Sequence, residues 1–61
     1  MNMIKLGMWI TYPNRKGVYL VADIDENYVI LKDVLIDNRG AISYGKKRVI
    51  TIKELDNYVM V

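Results

Sequence analysis

Short runs of β-branched and aromatic residues, each cut off by Gly, Asn, Asp or Pro, follow one another along nearly the whole chain and leave little room for anything but strands. The first, Met8-Trp9-Ile10-Thr11-Tyr12, is entered through Gly7. It stops at Pro13-Asn14-Arg15-Lys16-Gly17, where Pro lacks the amide a ladder needs and Gly17 is free to take a positive φ. The second run, Val18 to Ile24, is apolar on both faces, the pattern of a central or strongly bent strand with both sides covered. Asp25-Glu26-Asn27 reads as a tight turn, with Asn27 suited to the left-handed region. A third run, Tyr28 to Ile36, ends at the hairpin connection Asp37-Asn38-Arg39-Gly40. The fourth opens with Ala41-Ile42-Ser43-Tyr44, is interrupted at Gly45-Lys46-Lys47 and resumes as Arg48-Val49-Ile50. Gly45 marks either a bulge in one long strand or a turn between two short ones.

After Ile50 the period changes. Thr51-Ile52-Lys53-Glu54 has the form of a capping box, in which Thr caps the turn and Glu reaches back to the amide of the cap. Ile52, Leu55 and Tyr58 follow at helical spacing, over a stretch long enough for one or two turns of 3₁₀ type. Val59-Met60-Val61 then reads as a closing strand.

Four strands in consecutive hairpins, one helical turn and a last strand predict an all-β fold: a small five-stranded SH3-like barrel occupying residues 1–61 as a single domain. Bending a short sheet on itself covers strands that are apolar on both faces, which a flat sheet cannot do. An OB-fold asks for longer strands and more chain. An open three-stranded sheet under one helix is the main competitor.

Composition bounds the chemistry. In 61 residues there is neither Cys nor His, so disulfides, thiolate metal sites and the commonest neutral-pH general base are absent. A domain this small has a thin stability margin, and an apolar content of 52% is what remains to support it, with self-association as the other support. The four methionines, Met1, Met3, Met8 and Met60, are read as core filler near the termini. Ser43 is the only serine and sits in no nucleophile motif. Asp23, Asp25 and Glu26 cluster as a turn entry does, and a carboxylate pair needs a cleft to split its pKa values. The expectation is a non-catalytic protein with no cofactor, no metal and no small-molecule substrate. The opening Met1-Asn2-Met3-Ile4-Lys5-Leu6 has neither a long apolar run nor a small-residue cleavage site, so a cytoplasmic protein without a membrane partner is expected. Abundant Ile, Lys, Asn and Tyr, with AT-rich codons, point softly to a low-GC bacterium, phage or other mobile element.

Gly7-Met8-Trp9-Ile10-Thr11-Tyr12-Pro13, then Gly17-Val18, Val21-Ala22-Asp23-Ile24 and Tyr28-Val29-Ile30-Leu31, resemble the opening of KOW-type and CarD-like domains. These SH3-like modules begin with a glycine-led strand and a loop ending in Gly-x-Val, and in CarD-like domains the first strand often ends in Tyr-Pro. The similarity covers the first half of the chain and departs from the pattern at Met8, where an acidic residue is usual. It implies a module that touches nucleic acid, the ribosome or RNA polymerase.

Two sets of residues are candidates for contact. Arg15 and Lys16 in the first loop, Arg39 in the third hairpin, and Lys46, Lys47 and Arg48 in the interrupted strand form one basic rim for phosphate if the loops converge. Read blandly, they are solvated turn residues, blunted by Asp25, Glu26 and Asp37. The Pro13–Gly17 loop predicts Ile10 opposite Leu20 and Trp9 opposite Val21, so that Trp9 and Tyr19 form a surface aromatic patch if the Ile10 side faces the core. Alternatively Trp9 is buried under residues 3–6. The net charge of +2 allows an anionic partner without requiring one. Two partner classes stay open: nucleic acid or the transcription and translation machinery, and a protein partner or second copy held by an adaptor or inhibitor.

Overall fold

The structure, a computed structural model, describes residues 3–61, so Met1 lies outside the described residues. Five strands form one antiparallel sheet: β1 (Trp9–Thr11), β2 (Tyr19–Ile24), β3 (Tyr28–Ile36), β4 (Ile42–Thr51) and β5 (Val59–Met60), with a 3₁₀ turn, η1 (Glu54–Asn57), before the last. The order across the sheet is β4-β3-β2-β1-β5. The doubly apolar β2 lies at the centre of the sheet, as its composition requires.

The expected barrel does not close. β4 and β5 are the two free edges of the ladder, and β5 pairs with β1 alone. Two features explain this. β5 has two residues, too few to bridge two neighbours, and η1 enters at the seam with Leu55, 3% exposed, filling it with a side chain. The core is therefore the inside of a bent sheet stoppered by one turn. It holds Ile10, Val21, Val29, Leu31, Ile50 and Leu55, with Ile4, Tyr19 and Tyr58 packed against it. Each such side chain contributes about 1.5–3 kcal/mol by leaving water. Met3 and Met60, in contrast with their reading as core filler, are exposed, and Met8 is half-buried.

Bulges supply the bending. The β2–β3 register skips between Val21 and Asp23, so Ala22 is the extra residue. The β3–β4 register skips between Lys32 and Val34, placing Gly45 and Lys46 in a bulge within one continuous strand. A Cβ on Gly45 would meet Leu35 Cδ1 at 3.3 Å and Asp33 Cβ at 3.4 Å, so close packing accounts for the glycine. Beyond this bulge β3 and β4 continue as a two-stranded ribbon. It is closed by Asp37, whose Oδ1 accepts from the amides of Arg39 (2.8 Å) and Ala41 (2.9 Å). The molecule is accordingly elongated, 36 × 21 × 16 Å.

At the other turns, the Arg15 amide donates to the Tyr12 carbonyl (3.1 Å) across Pro13 and Asn14. Among the described residues the left-handed non-glycine one is Asn14, φ 68°, rather than Asn27. Asp25 Oδ1 instead holds its turn by accepting from the Glu26 amide. The capping box forms: the Glu54 amide donates to Thr51 Oγ1 (3.1 Å) and the Thr51 amide to Glu54 Oε1 (3.2 Å). It secures the bend leading into η1, whose own cap position is Lys53.

Candidate functional site

The first hairpin differs by one residue from the expected register. Trp9 pairs with Leu20 and Ile10 with Tyr19. Because side chains alternate along a strand, a slip of one exchanges the faces. Tyr19 shares the inner face with fully buried Ile10, and Trp9 lies half-buried on the outer face beside Leu20. The expected Trp9–Tyr19 patch does not form. Nor is Trp9 buried as the alternative reading expects: it is half-buried, and Met3 and Leu6 in the N-terminal segment are exposed.

What forms instead is a row of tyrosines on the inner face, where the core opens to solvent. Tyr12, at the end of β1, meets Tyr58, just after η1, edge to face with centroids 5.0 Å apart; Tyr58 meets Tyr19 in the same way at 6.2 Å. Such pairs fix ring orientation as well as burying area. Each end of the row carries a guanidinium. Arg15 lies 4.5 Å over the Tyr12 ring, and Arg48 lies 5.4 Å from the Tyr19 centroid. Arg48 Nε also donates to Asp33 Oδ1 at 3.2 Å.

Local chemistry builds this arrangement. The turn at Pro13 and Asn14 brings Arg15 back over Tyr12. Thr11 Oγ1 donates to the Gly17 carbonyl at 2.7 Å and ties the loop to β1. Gly17 has φ +119°, and a Cβ there would lie 3.2 Å from Tyr19 Oη, so the backbone runs directly along the phenol. Asp33 reaches Arg48 because Tyr19 pairs with Asp33 and Leu31 with Arg48, all on one face. Lys16, Gly17, Tyr19, Asp33, Leu35 and Arg48 border a cleft of about 240 Å³ continuous with this row.

The electrostatics follow the packing. Burial raises the pKa of Tyr58 above the ordinary phenol value, helped by neighbouring Tyr19 and Glu54. The hydrogen bond to Asp33 raises that of Arg48, so its charge is permanent. These groups suit recognition: fixed cations, phenol hydroxyls that donate and accept, and flat apolar rings. Among the described residues no three acidic side chains converge to hold a metal ion.

Of the basic residues singled out in the sequence, Lys16 and Arg48 line the cleft and Arg15 caps the Tyr12 end of the tyrosine row. The others do neither. Arg39 lies in the turn at the far end of the ribbon, Lys46 in the bulge, and Lys47 on the outer face opposite Lys32. One basic rim is thus not formed. Tyr12, Tyr58 and Asp33 were not singled out in the sequence; the signal for the first two was their position beside Pro13 and at the end of the helical spacing from Leu55. Comparison of the chain with family models, with curated proteins and with solved structures finds no match.

Proposed function

We propose that this chain is a non-catalytic binding module that holds an extended protein segment along the tyrosine row, its apolar side chains on the rings and an acidic side chain towards Arg15 or Lys16. The observation that carries the reading is the continuous sequence Arg15–Tyr12–Tyr58–Tyr19–Arg48 along one face. Aromatic rings with few rotatable bonds beside cations are the composition of binding hot spots. The strand order and the single turn before β5 support an SH3-like arrangement around an unclosed seam.

The test is selection of a random dodecapeptide display library on the full chain. Enriched peptides are expected to lose affinity by about ten-fold or more with Tyr12→Ala, as hot-spot truncations do. Peptides that bind Tyr12→Ala, Tyr19→Ala and the parent chain alike would refute the reading.

A second reading is single-stranded nucleic acid, supported by two guanidinium–tyrosine pairs beside Lys16 and by the similarity to KOW-type and CarD-like openings. Three cations spread along the row, one already paired with Asp33, favour it less. Titration with oligothymidylate at low salt decides: affinity that falls steeply as salt rises supports it.

A further inference from the structure

The outer edge of β4 offers a second surface, separate from the tyrosine row. β4 is ten residues long and ends the sheet; among the described residues no strand pairs with its outer edge, and η1 packs against part of it. The stretch of an edge strand left unpaired is a template for another strand. Its side chains say which strand. Lys47 stands directly across from Lys32 on the outer face. Like charges placed opposite one another on a sheet destabilise it. Among the described residues neither lysine meets an acid within ion-pair distance. On the same face Tyr44 and Val49, at 47% and 67% exposure, flank Lys47.

We infer that the free edge of β4 takes up an extended segment of a partner protein as a sixth strand, with an acidic side chain opposite Lys47 and β-branched side chains beside Tyr44 and Val49. An acid at that position compensates both Lys47 and Lys32, while main-chain hydrogen bonds provide the affinity. A second copy of this chain fits poorly. Antiparallel pairing over the whole of β4 would set Lys46 against Lys47 and Gly45 against Arg48, each twice, concentrating cations at the dyad.

The test uses two synthetic peptides, acetyl-Thr-Val-Thr-Glu-Thr-Val-Thr-amide, which sets Val, Glu and Val on one face, and its twin with Lys in place of Glu, titrated into the ¹⁵N-labelled full chain. The acidic peptide is expected to shift and protect amides in residues 42–50, with the lysine twin weaker by about ten-fold, as opposed and matched cross-strand charges differ. Lys47→Glu, which gains an ion pair with Lys32 and so retains the fold, is expected to reverse the preference. Lys46→Glu is the second variant and is expected to reduce it. Equal affinity for both peptides, no shift in 42–50 at millimolar peptide, or an unchanged preference in Lys47→Glu would overturn the inference. So would stronger perturbation of the same amides by oligothymidylate. Shifts confined to Tyr12, Tyr19 and Tyr58 would overturn it too while leaving the tyrosine-row reading standing.

Discussion

Gly17 and Gly40 both have positive φ, +119° and +83°, yet they carry different loads. At Gly40 an added Cβ meets open space, so Gly40→Ala is expected to cost about 1 kcal/mol from backbone strain. At Gly17 the same atom also presses on the Tyr19 phenol, and Gly17→Ala is expected to cost about 1–3 kcal/mol. Urea unfolding of the two variants checks the ranking, and equal costs would mean that the loop does not hold Tyr19. The phenols add a pH dependence. Burial, then Tyr19 and Glu54, raise Tyr58; Asp25, by its charge and a hydrogen bond, raises exposed Tyr28. A folded pKa above the unfolded one means that the folded state binds its proton more tightly. The stability these phenols confer is therefore fully present below about pH 10 and is lost as pH rises through the folded values. Unfolding midpoints from pH 8 to 11 should show this fall, shallower in Tyr58→Phe. The Arg48–Asp33 pair belongs to the same scale but contributes little: Arg48 is half-exposed, and such pairs give about 0–1 kcal/mol.

Among the elements, η1 is decisive because it stands where a strand pairing would otherwise close the sheet. Its entry is fastened by the Thr51–Glu54 box, and Thr51→Ala is expected to cost about 1 kcal/mol. Because Tyr58 follows η1 directly, the same change should loosen the tyrosine row, read as lost ring-current shifts at Tyr12 and Tyr19. If stability falls but those shifts stay, η1 does not position the site. Strand existence, the hairpins at Asp25 and Asp37, and the box were legible from residue type, because each rests on local hydrogen bonding within a few residues. The register of the first hairpin was not. It turns on a one-residue difference set by the left-handed Asn14, and that slip moves Tyr19 inward and Trp9 outward. The site was hidden for the same reason: Tyr12, Tyr19 and Tyr58 meet only once three separate elements are placed. Closure also escaped the pattern of alternation, which reports which residues are covered but not whether a strand or a side chain covers them.

For the molecule as a whole, one small core does nearly all the stabilising. Four side chains, Ile10, Val21, Val29 and Leu31, are less than 2% exposed, and Leu55 completes their enclosure. Leu55→Ala removes about 2–5 kcal/mol, comparable with the whole stability of about 3–5 kcal/mol that a core of this size supplies. Circular dichroism at 25 °C is expected to show that variant largely unfolded; a native spectrum with an unshifted melting point would show that the seam does not depend on η1. The ribbon beyond the Gly45 bulge has the opposite character. Leu35, Ile36 and Ile42 there are half-exposed or more, and a two-stranded hairpin has little cohesion of its own. Amide exchange should therefore be graded along β3, slowest at Val29 and Leu31 and fastest near Ile36. The chain behaves as a firm root bearing a pliant arm, and the arm can unzip from its tip and mend many times while the root stays shut. A partner that grips the arm would stiffen it without altering the root.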